Sequence, residues 1–189
     1  MRIMINGRSL SGKDQVKDYL SDKYSFKSTS FAKPIYEIAR DYFGRDMSNG
    51  RQYGDKELLI NIGQKLREIN PSIWVDYALN TINNSDYPFW VISDVRQKNE
   101  YIRCKHEGFI PIRVNSTLEN RIERCKLRDG FTPTKETIEL WSSEGECGAD
   151  NFSYHEVYNN GSLEELYKQI DDIIEWHREQ YKESVKWIH

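Results

Sequence analysis

Short apolar runs alternate with longer amphipathic segments from the first residues of the chain onward. The apolar run from Arg2 to Ile5 predicts a buried strand, and apolar positions at helical spacing predict a helix from Lys13 to Leu20. Phe26 to Phe31 alternates loosely between apolar and polar residues, which predicts a second strand. The chain therefore begins with a strand–helix–strand unit.

Three apolar stripes at helical spacing follow, and they predict a mostly helical stretch before the third strand. The stripes cover Ile35 to Phe43, Leu58 to Ile69 and Ser72 to Asn83. Gly44 stands where the first of these helices needs a C-cap, and Asn70 with Pro71 would stop the second. We expect residues 32–88 to form a helical insert.

Three more strands and a long helix complete the pattern. The strands are predicted at Phe89 to Ser93, Phe109 to Val114 and His155 to Tyr158, and the amphipathic helix starts at Ser162. Strands that alternate with helices are typical of an α/β fold with a parallel sheet. We therefore expect a three-layer α/β fold with a five-stranded parallel sheet. The 189 residues suit a single domain.

Composition narrows the class of protein. Hydrophobic residues make up 38% of the chain and aromatic residues 13%, which is typical of globular proteins. The net charge of −3 gives no reason to expect a nucleic-acid partner. The three cysteines form no CxxC or disulfide pattern, and no apolar run suits a signal peptide or a membrane span. We expect a cytoplasmic protein with no membrane partner.

The segment between the first strand and the first helix matches the phosphate-binding pattern G-x-x-x-x-G-K. Such a loop turns backbone N–H groups and a helix N-terminus toward a phosphate, and its lysine reaches the outer phosphates. We interpret it as an ATP-binding loop, the alternative being an ordinary Gly-rich turn. The loop residues are Gly7, Arg8, Ser9, Leu10, Ser11, Gly12, Lys13 and Asp14.

Asp14 departs from the usual pattern, which has Ser or Thr at this position to hold Mg²⁺. An Asp in the first turn of a helix is favoured by the helix dipole, so one interpretation of Asp14 is a cap. The other interpretation is a ligand of Mg²⁺, directly or through water. Both stay open at this point.

Several motifs together resemble the bacteriophage deoxynucleoside monophosphate kinase family. That family typically carries a Ser-Gly-Lys-Asp loop, here Ser11 to Asp14, and an Asp-Val-Arg-x-x-Asn-Glu element, here Asp94 to Glu100. The likeness covers most of the chain, including Phe31-Ala32-x-Pro34, Trp74-Val75 and Asn159 to Leu166. One departure is Gln97-Lys98, where the family usually has Phe-Pro. Animal phosphomevalonate kinases share the loop and the Asp-Val-Arg element, so these two motifs alone do not choose the acceptor.

The resemblance implies a P-loop nucleotide-kinase fold and an activity. The enzyme would move the γ-phosphoryl group of ATP, with Mg²⁺, to a deoxynucleoside monophosphate and form the diphosphate. Residues 32–88 would be the acceptor-binding insert, and residues 115–153 a lid. The partners would be these small molecules, and the sequence does not decide between a monomer and a homodimer.

Asp94 and its neighbours are the next candidates for chemistry. Asp94 lies at the predicted carboxyl end of the third strand, where α/β sheets present ligand sites. Its carboxylate could hold Mg²⁺, or it could cap the next turn. Arg96 could bind a substrate phosphate, or it could form an ion pair with Glu100.

Arg121, Arg124 and Arg128 are spaced three and four residues apart, so they line one face of a predicted helix. Phosphoryl transfer depends on positive charge around the migrating group, which makes these arginines candidate catalytic residues beside Lys13 and Asp94. A helix that carried them over the phosphates would act as a lid. The alternative is a solvated face balanced by glutamates.

Four further residues are candidates for ligand contacts. By the resemblance, Arg67 would hold the acceptor phosphate, and Lys33 is a weaker candidate. Trp74 either stacks on a base or belongs to the core. Asn159 either borders the adenine site or caps a turn.

Two rival functions remain open at the level of sequence. One is a kinase for another phosphorylated metabolite, such as phosphomevalonate. The other is an NTP-binding switch or hydrolase that transfers to water, against which the lid-like arginine stripe stands.

Overall fold

Five parallel strands form the central sheet of the protein. The computed structural model describes residues 1–47, 54–139, 152 and 155–186. The strands are β1 (Arg2–Asn6), β2 (Lys27–Thr29), β3 (Trp90–Ile92), β4 (Phe109–Asn115) and β5 (His155–Tyr158). Their order across the sheet is β2-β3-β1-β4-β5, and all neighbouring pairs are parallel. The predicted α/β fold with a five-stranded parallel sheet is confirmed.

Helices connect these strands and cover both faces of the sheet. In the described residues they are α1 (Lys13–Tyr24), α2 (Lys33–Phe43), α3 (Asp55–Ile69), α4 (Ile73–Asn83), α5 (Lys98–His106), α6 (Leu118–Asp129), α7 (135–139) and α8 (Leu163–Lys186). Gly44 ends α2 with a φ of 64°, as the C-cap prediction requires. Helix α6 confirms that the three spaced arginines share one helix.

The central strand β1 supplies two apolar cores, one on each face of the sheet. Ile3, Met4 and Ile5 are completely buried. Met4 joins the core beneath α2, α3, α4 and α5, whereas Ile3 and Ile5 join the core beneath α1 and α8. Successive strand residues point to opposite faces, so a continuous apolar run fills both cores. The result is three layers with β1 in the middle.

Helix α5 is the element that the apolar pattern does not predict. Its first turn is set by Glu100, whose carboxylate accepts the backbone N–H of Gln97 at 2.8 Å. A Glu three residues after the N-cap is one half of a capping box, so a local signal for this helix was present in the sequence. The Asp-Val-Arg element therefore leads into a helix.

The predicted insert and lid are described in part. Helices α2, α3 and α4 lie within residues 32–88, and α6 and α7 lie within residues 115–153. Residues 48–53 of the first segment, and 140–151 with 153 of the second, lie outside the described residues. None of the helices described is both long and apolar enough to cross a membrane.

Candidate active site

The loop after β1 has the backbone form that a phosphate cradle requires. Gly7 and Gly12 have φ angles of 151° and 102°, which residues with a Cβ rarely adopt. A Cβ on Gly7 would lie 2.5 Å from the carbonyl oxygen of Val114, and a Cβ on Gly12 would collide with the Asn159 amide. Space as well as backbone torsion therefore requires glycine at both positions.

Lys13 lies over this loop as the first residue of α1. Its ammonium donates to the carbonyl oxygens of Gly7 at 2.5 Å and Arg8 at 2.9 Å. The hydroxyl of Ser11 is buried, and within the described part of the chain it has no hydrogen-bond partner. A buried hydroxyl normally has such a partner, and none of the described residues supplies one here. The loop therefore suits a bound phosphate.

Asn159 connects the loop to the turn after β5. Its side chain is buried, and its amide donates to the carbonyl of Ser11 at 2.9 Å and to the Gln15 side chain at 3.2 Å. From the sequence, Asn159 is expected either to border the adenine site or to cap a turn. The structure places it against the phosphate loop, where it positions the backbone of Ser11.

Arg124 makes the densest set of contacts around the loop. One guanidinium nitrogen donates to the carbonyls of Leu10 at 3.1 Å and Ser11 at 3.2 Å, and to the Ser116 hydroxyl at 2.9 Å. The other donates to the carbonyl of Asn159 at 2.7 Å. Burial lowers the pKa of Arg124. As a lid residue, Arg124 is expected to contact the phosphates. In the structure its guanidinium contacts backbone carbonyls of the loop and of Asn159.

Arg121 and Arg8 meet at a single carboxylate. Arg121 is 1% exposed and donates to one oxygen of Glu139 at 2.5 Å, while Arg8 donates to the other oxygen at 3.0 Å. Glu139 belongs to α7, and all three residues line a cavity of about 480 Å³ that also reaches Gly7 and Asn115. The wall of the cavity thus carries two guanidinium groups, and both bind the Glu139 carboxylate.

Asp94, at the carboxyl end of β3, binds the segment that follows β2. Its two carboxylate oxygens accept the backbone N–H groups of Phe31 at 3.0 Å and Ala32 at 2.9 Å. Burial raises the pKa of the Asp94 carboxyl, and these two donors oppose the rise. The Asn6 side chain donates to the carbonyl of Val95 at 2.9 Å, which joins the end of β1 to the same loop. Asp94 therefore lies beside the phosphate loop and positions the start of the insert.

Glu100 contacts two of the predicted acceptor-binding residues, Arg96 and Arg67. One of its oxygens accepts the backbone N–H groups of Arg96 at 2.7 Å and Gln97 at 2.8 Å. Its other oxygen lies 3.7 Å from the guanidinium of Arg67. Burial raises the pKa of the Glu100 carboxyl, and the two backbone donors oppose the rise. The contact between Glu100 and Arg96 that the sequence suggested is therefore made through the backbone of Arg96.

Trp74 is in the core rather than on a ligand surface. It is 2% exposed, and its indole N–H donates to the carbonyl of Gly63 at 3.2 Å. A ring packed on all sides offers no face for a base. The structure corrects the stacking interpretation of Trp74 in favour of the core interpretation.

The remaining predicted residues lie on the surface. Arg128 is exposed in the last turn of α6. Lys33 is exposed with its ammonium 3.9 Å from Glu37, and Asp14 is exposed with its carboxylate 3.5 Å from Lys17. These three side chains therefore lie outside the buried part of the site.

The carboxylates present suit Mg²⁺ only in combination with phosphate oxygens. Among the described residues, no group of three or more His, Cys, Asp or Glu side chains could hold a metal ion. Mg²⁺ is commonly bound by one or two carboxylates together with substrate phosphates and water. Asp14 offers an exposed carboxylate in the first turn of α1, whereas both carboxylate oxygens of Asp94 already accept backbone N–H groups. Asp14 therefore fits a Mg²⁺ that arrives with a nucleotide, and the metal role of Asp94 stays a prediction.

Two residues of the site were not predicted. The Glu139 carboxylate accepts hydrogen bonds from Arg121 and Arg8, and the Ser116 hydroxyl accepts one from Arg124. The position of Glu139 depends on how α7 packs against α6, and a polar segment carries no periodic signal for such a contact. Ser116 lies directly before Thr117, the N-cap of α6. The sequence pattern indicates a helix N-cap at Thr117 but no role for Ser116.

Comparison with solved structures places this chain in a known fold. A gluconokinase from Sinorhizobium meliloti 1021 superposes with a TM-score of 0.61 at 16% identity, covering 97% of each chain. The chain has the three-layer fold of P-loop kinases. TT1252 from Thermus thermophilus gives 0.59 at 16% identity, covering 92% of this chain and 96% of the other. A deoxyadenosine kinase from M. mycoides gives 0.51 at 14% identity, covering 95% and 100%.

At these identities the likeness concerns the fold alone. No family model matches the chain, and no curated protein matches it either.

Proposed function

We propose that this protein is an ATP-dependent kinase that phosphorylates a deoxynucleoside monophosphate. The observation that carries the proposal is the loop of residues 7–14. Its two glycines have no room for a Cβ, its lysine lies over the loop, and the buried hydroxyl of Ser11 is unpaired among the described residues. These are the features of a phosphate cradle at the start of a helix.

The nucleotide side of the site would be built from fixed positive charge. The N-terminus of α1 and Lys13 would face the outer phosphates. Arg8 and Arg121 already bind a carboxylate, and guanidinium groups bind phosphate oxygens by the same hydrogen-bond geometry. Positive charge that is in place before the reaction stabilises the transition state without reorganisation.

The acceptor side would lie between the insert and the carboxyl end of β3. Arg67 and the backbone after Asp94 converge there on Glu100. The resemblance of the Asp-Val-Arg element and its neighbours to deoxynucleoside monophosphate kinases supports a deoxynucleoside monophosphate as acceptor. One solved structure of the same fold is a deoxyadenosine kinase.

The chemical step would need little from the protein beyond placement. An oxygen of the acceptor phosphate would bond to the γ-phosphorus of ATP as the bond to the β,γ-bridging oxygen breaks, which gives a diphosphate and ADP. The attacking oxygen is already anionic, so no general base is required. Mg²⁺, held by Asp14 and Asp94 with the phosphates, would neutralise part of their charge when bound.

Replacement of Lys13 tests this proposal. Lys13→Ala should lower turnover by about 10²–10³-fold, since that is the usual effect of removing one stabilising donor from a preorganised site. Lys168→Ala, at an exposed position of α8, is the control and should stay near the wild-type rate. A Lys13→Ala enzyme that is folded and within a few-fold of wild type would contradict the proposed role of the loop.

A further inference from the structure

Two histidines meet on the opposite end of the sheet from the phosphate loop. His155 is the first residue of β5, and His177 lies on α8. Their Nε2 atoms are 2.9 Å apart, and their rings are nearly perpendicular, at 80°. Both side chains line a cavity of about 390 Å³ beside the start of β4. No step of the proposed kinase reaction uses either residue.

The packing around the pair holds both rings in place. Trp176 packs with its ring centroid 4.6 Å from that of His177 and 5.8 Å from that of His155. His155 is on a strand, and His177 is in the middle of a 24-residue helix. The two Nε2 atoms therefore converge from rigid elements, which is how proteins preorganise a ligand set.

The electrostatic surroundings favour the neutral form of both imidazoles. Burial lowers the pKa of His155, and the charge of Lys105 lowers it further. Burial also lowers the pKa of His177, with added contributions from His155 and Lys105. Neutral imidazole is the form that binds metal ions, since protonation blocks the ligand lone pair. Lys105 lines the same cavity, so its positive charge repels a bound cation.

The distance between the two nitrogens suits a particular coordination geometry. With the two Nε2 atoms at this separation, a metal ion about 2.0–2.1 Å from each would form an N–metal–N angle of about 90°, once the rings turn their lone pairs from the shared hydrogen bond toward the ion. That is the angle between neighbouring ligands in tetragonal sites, which Cu²⁺ and Ni²⁺ prefer when nitrogen and oxygen are the ligands. The cavity leaves room for water molecules at the other positions.

We propose that His155 and His177 form a two-histidine site for a divalent transition-metal ion that prefers tetragonal coordination. Water completes the coordination sphere. The metal replaces the hydrogen bond between the two rings and joins α8 to β5. The site is independent of the phosphate loop.

Calorimetric titration of the tag-free protein with Ni²⁺ tests the proposal. We expect one site per chain, and at least about a tenfold loss of affinity in His155→Gln or His177→Gln. Ni²⁺ should raise the melting temperature of the wild type, since an ion bound only by the folded state stabilises it. At the same Ni²⁺ concentration each single variant should show a smaller rise. Cu²⁺ in place of Ni²⁺ should give an electron paramagnetic resonance spectrum with coupling to two imidazole nitrogens.

Three further variants sharpen the test. His106→Gln, in an exposed position next to Lys105, should bind Ni²⁺ as the wild type does. Lys105→Gln should bind it more tightly, because the opposing charge is gone. The double variant His155→Gln with His177→Gln gives the baseline for ions bound elsewhere. Melting curves without metal check that each variant is folded. A folded double variant whose Ni²⁺ titration equals that of the wild type would overturn the proposal.

Discussion

The guanidinium of Arg124 donates a 2.7 Å hydrogen bond to the backbone carbonyl of Asn159. Both side chains also donate to the carbonyl of Ser11, so α6 and the turn after β5 hold the same peptide of the phosphate loop. A loop that binds phosphate through its N–H groups must have its carbonyls directed away and fixed. Arg124 and Asn159 supply that fixation through their hydrogen bonds to the loop backbone.

Arg124→Lys should weaken both the fold and the nucleotide site. A single ammonium cannot reach the four acceptors that the guanidinium spans, so we expect a loss of about 1–3 kcal/mol in the free energy of unfolding. ATP affinity should fall together with stability. Thermal unfolding and nucleotide titration measure the two effects. Lys126→Met, an exposed change on the same helix, is the control. Unchanged ATP affinity in Arg124→Lys would contradict the positioning role.

Gly12→Ala should abolish nucleotide binding because a Cβ at this position collides with the Asn159 amide. Gly44→Ala is a matched control, since Gly44 also has a positive φ but its Cβ would meet nothing within 4 Å. Both variants carry backbone strain of about 1 kcal/mol or more. Only Gly12→Ala should lose ATP binding when the two are compared by titration. Equal binding by both variants would show that the close contact at Gly12 is unimportant.

Glu139→Gln should increase the affinity for anionic ligands. The Glu139 carboxylate is bound by Arg8 and Arg121, and a phosphate that binds these arginines would have to replace it. Removal of the carboxylate charge removes that competitor, so ATP and inorganic pyrophosphate should both bind several-fold more tightly. Glu136→Gln, on the same short helix, should have no effect. Weaker binding in Glu139→Gln would mean that the carboxylate supports the bound state instead.

Asp171→Asn should destabilise the contact between α1 and α8 in a pH-dependent way. Burial alone would raise the pKa of Asp171, but hydrogen bonds from Lys23, Tyr24 and Tyr19 outweigh it and lower the pKa below 3.8. A carboxyl group whose pKa is lower in the folded state stabilises the fold at pH values above its pKa in the unfolded state. This stabilisation is lost as the pH falls through the pKa of the folded state.

At neutral pH the Asp171→Asn variant should lose about 1–3 kcal/mol in the free energy of unfolding. The difference from the wild type should shrink as pH falls below 3.8. Urea unfolding across this range measures it, with Asp172→Asn as the exposed neighbour control. A difference that stays constant with pH would show that the interaction is not carried by the ionised carboxylate.

The sequence was informative where a local signal had a physical cause. The apolar run of β1 predicted a strand buried on both faces, and Gly7 with Gly12 predicted the loop that β1 leads into. Gly44 marked the end of α2. In each case the chemistry of neighbouring residues determines the local backbone.

The parts that the sequence did not predict depend on contacts between distant segments. Arg121 and Arg124 lie three residues apart on one helix face, so the sequence predicts the same role for both. In the structure Arg121 reaches Glu139 of α7, whereas Arg124 reaches the loop and the turn after β5. Trp74 likewise has the helical spacing of either a core residue or a ligand contact, and only packing places it in the core.

The most direct test of the account is product analysis with a panel of acceptors. ATP is supplied with each common ribo- and deoxyribonucleoside monophosphate in turn, with phosphomevalonate, and with water alone, and both ADP and the phosphorylated product are quantified. The account predicts that at least one deoxynucleoside monophosphate becomes its diphosphate, with one ADP formed per diphosphate. We expect a preference among bases, because a pocket that hydrogen-bonds a base rejects analogues that leave its polar groups unpaired. Turnover of phosphomevalonate alone, or ATP hydrolysis that no acceptor changes, would contradict it.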